Sequence, residues 1–120
     1  MDTNGITVAI VDDLFFRSKI KQAAKSAGSK IEIIKGNDFQ LKELLTLKPR
    51  LLIIDINIRS IDSMELIKSL KSNSELKNIQ TIGYLSHVET DRRREALEAG
   101  FNEVYPKSRF SKELPKILES

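Results

Sequence analysis

The sequence predicts an α/β protein, a (βα)5 arrangement in which five parallel strands alternate with five helices and the helices cover both faces of one doubly wound sheet. Three observations predict it. Short apolar runs rich in β-branched residues recur along the chain as ITVAIV, IEIIK, LLIIDI, IQTIGYL and NEVY. Each is followed by a stretch whose apolar residues take helical spacing. No internal linker, repeat or low-complexity segment interrupts the alternation.

The elements follow in order. Ile6 to Val11 reads as a strand buried on both faces. From Leu14 the period changes, and Phe16, Ile20, Ala23, Ala24 and Ala27 share one helical face that Gly28 closes. Ile31 to Lys35 is a second strand. Gly36-Asn37-Asp38 reads as a turn and N-cap before a helix carrying Phe39, Leu41, Leu44 and Leu45, which Pro49 ends. Leu51 to Ile56 is the most apolar segment and is the expected central strand. After the polar loop Ser60 to Ser63, Met64, Leu66, Ile67 and Leu70 mark a helix reaching Asn73. Ile79 to Leu85 is a fourth strand, and Glu89 to Ala99 a charged helix with Ala96, Leu97 and Ala99 apolar and Gly100 at its end. Asn102 to Tyr105 is a brief fifth strand. Phe110 to Leu118 is a last helix, which Pro115 weakens unless it lies in the first turn.

Composition sets the class. The length of 120 residues suits one domain, residues 1–120, able to bury a core. Hydrophobic content of 40% and charged content of 31% are ordinary for a folded soluble protein. The absence of cysteine excludes disulfides and thiolate chemistry and fits a cytoplasmic location. The start, MDTNGITVAIVDD, lacks the pattern of a signal peptide, and no apolar run approaches the roughly 20 residues that span a bilayer, so no membrane association is expected. A net charge of +3, from 20 basic against 17 acidic residues, is small and dispersed apart from Arg92-Arg93-Arg94. Direct nucleic-acid binding is therefore not expected.

Five polar residues stand where apolar runs end: Asp12 and Asp13 after the first, Asp55 after the third, Ser86 after the fourth and Lys107 after the fifth. In a parallel sheet these positions meet at the carboxyl edge, where open α/β sheets bind ligands. Carboxylates with a hydroxyl and an ammonium suit a divalent cation and a transferable phosphoryl group. Individually the residues admit plainer readings. Asp12 and Asp13 also suit an N-cap and a turn, Ser86 a loop, Lys107 a solvated surface, and Asp55 a structural carboxylate.

Taken together, VAIVDD, LLIIDINIRSID, YLSH and PKS, in that order and spacing, resemble the receiver domains of two-component response regulators. The resemblance runs from about Ile6 to the end of the chain and implies a flavodoxin-like fold with strand order 2-1-3-4-5. It implies Asp55 as phosphoacceptor, Asp12 and Asp13 as the acidic pair for Mg2+ (or Mn2+), with Asp55 and the backbone carbonyl of Asn57 completing the metal site. Ser86 matches the switch hydroxyl and Lys107 the family lysine.

The chain departs from the family pattern at several places. Arg59 and Ser63 stand where proline and glycine are usual, His87 replaces a small residue after the switch hydroxyl, and Ser108 replaces a proline. Arg59 is placed to pair with a phosphoryl group or with Asp62, and His87 either narrows access to Asp55 or stands as an exposed loop residue. Val104 replaces the switch aromatic, while the adjacent Tyr105 is expected on the opposite face of its strand.

The expected function is acceptance of phosphate on Asp55 from a histidine kinase or phosphotransfer protein, with signalling through a downstream protein target or a further output domain. Catalysis is limited to self-phosphorylation and self-dephosphorylation, and the expected state is a monomer or weak homodimer. The alternative is a degenerate receiver acting as a phosphorylation-independent interaction module. A flavodoxin-like enzyme or nucleotide-binding protein is disfavoured, because Asp12-Asp13-Leu14 occupies the place of a glycine-rich phosphate loop.

Overall fold

The computed structural model describes residues 5–86 and 90–119. Its elements alternate as β1 (Thr7–Ile10), α1 (Leu14–Ala27), β2 (Ile31–Ile34), a 3-10 turn (Gly36–Asp38), α2 (Leu41–Leu47), β3 (Leu51–Asp55), α3 (Ser63–Lys71), β4 (Gln80–Leu85), α4 (Thr90–Ala99), β5 (Glu103–Pro106) and α5 (Lys107–Glu119). The strands form one parallel sheet in the order β2-β1-β3-β4-β5, as the resemblance implies. The order reverses between β1 and β3, which opens a crevice at their carboxyl ends.

Alternation along the strands divides the core. Val8, Ile10, Leu52, Ile54, Leu85 and Val104 face α2, α3 and α4, packing against Leu44, Ile67, Leu70 and Ala96. Ala9, Val11, Leu51, Ile53, Ile82 and Tyr84 face α1 and α5, packing against Phe16, Ile20, Phe110 and Leu114. Residues on both faces of β3 are buried, which is why the sequence of this strand is a continuous apolar run.

Most of the expected boundaries hold, and the exceptions have physical causes. Gly28 ends α1 in the left-handed conformation (φ 69°), its N–H donating to the carbonyls of Ala24 and Lys25. The expected N-cap of α2 at Asp38 moves to Gln40, because the Gly36–Asp38 segment closes a separate 3-10 turn. The Glu43 carboxylate accepts from the Gln40 N–H at 3.0 Å, satisfying one donor at the helix start. Helix α5 starts three residues earlier than expected, at Lys107, and continues through Pro115. Pro115 sits in the helix interior on the exposed side, while Phe110, Leu114, Ile117 and Leu118 are buried on the other. Tertiary burial thus outweighs the lost helical hydrogen bond. Leu97, expected on the apolar face of α4, is 37% exposed, whereas Ala96 and Ala99 are buried. The proposed start of α4 at Glu89 lies outside the described residues.

Candidate functional site

The carboxyl ends of β1, β3 and β5 bring the acidic pair, Asp55 and Lys107 into one cluster. Asp13 caps α1, its Oδ1 accepting from the N–H groups of Phe15 (2.9 Å) and Phe16 (3.3 Å). Its other oxygen accepts from Lys107 Nζ at 3.4 Å. Desolvation raises the Asp13 pKa, but the Phe16 N–H, Lys107 and the Phe15 N–H outweigh it and leave the group below the usual carboxylate value. The plain capping reading of this residue is therefore correct, and it coexists with the contact to Lys107. That lysine opens α5 and lays its ammonium over the Phe16 ring, 4.7 Å from the centroid.

Asp55 ends β3 half-buried, with its Oδ1 accepting from the Asn57 N–H at 2.9 Å. Burial pushes its pKa above the ordinary value; the Asn57 N–H and the charge of Lys107 pull it down, and Asp13 and Asp12 push it up again. Asn57 also ties two loops together, its side-chain oxygen accepting from the Ser86 N–H at 2.7 Å. Ser86 is exposed just beyond β4.

Asp12 has partners that its sequence position does not announce. Its two oxygens accept from the Gly36 N–H (2.8 Å) and the Ser60 hydroxyl (2.7 Å), joining the loops that follow β1, β2 and β3. A Cβ on Gly36 would overlap Ser60 Oγ and lie 3.1 Å from Ser60 Cβ, so the latch requires glycine there. Ser60→Ala should cost about 1 kcal/mol, as one partly exposed hydrogen bond to a charged acceptor. Gly36→Ala should cost about as much or more, because it forces the Ser60 hydroxyl away. The double variant should then be less destabilised than the sum of the two, a non-additivity readable in urea denaturation.

Among the described residues, no three His, Cys, Asp or Glu side chains are gathered as a ready-made metal chelate. The donor chemistry nevertheless fits a hard divalent cation. Asp12, Asp13 and Asp55 carry the carboxylate oxygens such an ion prefers, Asp12 and Asp13 both act on Asp55, and Lys107 pairs with Asp13. Carboxylates outnumber the ammonium, so a further positive charge would relieve the repulsion that acts on Asp55.

One departure from the family pattern, Ser63, has a local explanation. It is buried and its hydroxyl donates to the Ile56 carbonyl at 3.1 Å. It begins α3, and among the described residues Lys48 is the one non-glycine residue at positive φ, so position 63 does not need glycine. Asp62 caps α3 by accepting from the Glu65 N–H at 3.1 Å. Arg59 is exposed and forms no ion pair with Asp62 among the described residues. Val104 is buried in the cluster against α3 and α4. Tyr105 turns to the opposite face as expected, its ring centroid 6.4 Å from that of Phe110. His87 lies outside the described residues.

Comparison with known proteins agrees with this fold. The family model of the response regulator receiver domain matches residues 8–119. A comparison with curated proteins gave no match. Among solved structures, the chemotaxis response regulator CheY4 of Vibrio cholerae superposes with a TM-score of 0.83 at 19% identity, covering 98% of each chain. A response regulator from Hahella chejuensis gives 0.85 at 16% identity, covering 96% of this chain and 92% of that one. The Mn2+-bound form of response regulator Rcp1 gives 0.71 at 21% identity, covering 96% and 89%. At these identities the structural likeness speaks for the fold, and the family model carries the assignment. The chain belongs to the response regulator receiver domain family.

Proposed function

We propose that this receiver accepts a phosphoryl group on Asp55 from a histidine kinase or phosphotransfer protein and signals through a protein partner or an attached output domain. The observation that supports this most is the placement of Asp55. It is a half-buried carboxylate at the end of the central strand, with two more carboxylates and Lys107 acting on it. Such a group is costly unless another charge joins it.

In this reading an Asp55 oxygen attacks the donor phosphorus, forming an acyl phosphate O–P bond. The P–N bond to the donor histidine breaks, and the imidazole leaves with a proton from solvent. Water later attacks the same phosphorus, releasing inorganic phosphate and restoring the carboxylate. Asp12, Asp13, Asp55 and the Asn57 backbone carbonyl would hold Mg2+ or Mn2+, which offsets the repulsion between nucleophile and phosphoryl group. The Mn2+ form of the structural neighbour Rcp1 supports that choice of ion. Lys107 supplies a second positive charge to the incoming group, and the Ser86 hydroxyl supplies a donor to it. Leu14 and Phe15, 74% and 70% exposed beside Asp13, give a donor protein an apolar foothold.

The experiment is thermal melting with and without magnesium. The melting temperature of the parent should rise with the logarithm of magnesium concentration. Asp13→Ala should stay folded and lose that dependence. A parent unmoved by millimolar magnesium would favour a receiver that binds partners without phosphorylation.

A further inference from the structure

Tyr84 is 1% exposed, yet its hydroxyl has no hydrogen-bond partner among the described residues. Burying a hydroxyl unpaired is unfavourable, and most buried polar atoms in native proteins are satisfied. Packing does not require this one. The ring is held between Phe16 and Phe110, with centroid separations of 4.9 Å and 4.7 Å, and phenylalanine would fill the same place.

The position of the phenol explains what it serves. The β3–β4 register sets Tyr84 directly against Asp55, and strand alternation puts both side chains on the face covered by α1 and α5. Above the same aromatic layer, Lys107 lies over Phe16 and contacts Asp13. Desolvation, with the charges of Asp55 and Asp13, keeps the phenol in its protonated, donating form. Among the described residues of the unmodified protein this donor is idle. A phosphoryl group on Asp55 would bring oxygen acceptors into its neighbourhood.

We propose that Tyr84 is a phosphoryl-binding residue of this receiver: its hydroxyl donates to a phosphoryl oxygen on Asp55, and its ring carries that contact to Phe110 and α5. The inference rests on the phosphoacceptor reading above. It places the aromatic that responds to the site on β4, where Val104 on β5 cannot serve because it is buried on the other face of the sheet.

The test compares the full chain with its Tyr84→Phe and Tyr105→Phe variants, using beryllofluoride with magnesium as the phosphoryl probe. The chain has no tryptophan and two tyrosines, so tyrosine emission reads the titration alongside the melting temperature. Without probe, Tyr84→Phe should melt at or above the parent, since an unpaired hydroxyl is removed. Its beryllofluoride affinity should fall about tenfold, the effect of one charge-assisted hydrogen bond. Tyr105→Phe, which loses only a 2.8 Å bond to Glu103, should bind the probe as the parent does. Equal affinity of Tyr84→Phe and parent overturns the proposal and leaves the phosphoacceptor reading standing. So does equal weakening by Tyr105→Phe, or a Tyr84→Phe protein that melts below the parent. A parent that binds no beryllofluoride overturns both.

Discussion

Asp55→Asn should fold, accept no label from acetyl phosphate, and be more stable than the parent at neutral pH in the absence of magnesium. The loss of label follows because the amide keeps the shape but has no nucleophilic oxygen anion. The gain in stability follows from linkage. Burial, with the charges of Asp13 and Asp12 adding to it, raises the Asp55 pKa in the folded state above its ordinary value of 3.8. Between those two values the folded protein binds more protons than the unfolded chain, so stability falls as pH rises through that window. At neutral pH the ionised carboxylate is then a net cost, which the amide removes. The advantage of Asp55→Asn should shrink as pH drops below the raised value and should also shrink when magnesium is added. Melting curves across a pH series, with and without the metal, read both. Asp13 acts in the opposite direction, since its lowered pKa contributes stability above its ordinary value that is lost on acidification. That contribution is small, because its side chain is 39% exposed and screened by solvent.

Phe110→Ala should have the largest effect on stability, about 3–5 kcal/mol, as for other buried phenylalanines cut to alanine. Phe110 is fully buried, 4.7 Å from Tyr84 and 6.0 Å from Phe16 between ring centroids. It anchors the first turn of α5, the turn that begins with Lys107. Loosening it should therefore weaken phosphoryl retention as well as the fold, whereas Phe110→Leu, which keeps most of the volume, should lose much less. Urea denaturation measures the first effect and the lifetime of the phosphorylated protein the second.

The parts of this molecule that depend on local pattern are legible in its sequence. The apolar runs locate all five strands, because a sheet covered on both faces demands them, and a carboxylate closing the run LLIID marks the proposed site. Features that depend on contacts between distant segments are not legible. The Asp12–Ser60 bond joins residues 48 apart in sequence, and the Asn57–Ser86 bond residues 29 apart. Neither leaves a local signature. The start of α5 at Lys107 was hidden because the apolar stripe begins only at Phe110, while the polar first turn is held by its connection to β5. Pro115 misleads for a related reason, since propensity is local and the burial that overrides it is not. Tyr84 reads as one more apolar strand residue until the register sets it against Asp55.

The most direct test of the central claim is to locate the phosphoryl group. The parent chain is treated with acetyl phosphate and magnesium, the acyl phosphate is trapped chemically, and the proteolytic peptides are mapped by mass spectrometry. The adduct is expected on Asp55, dependent on magnesium, and absent from Asp12, Asp13 and Asp62. Modification at another acid, or a parent chain that stays unmodified with the metal present, would contradict it.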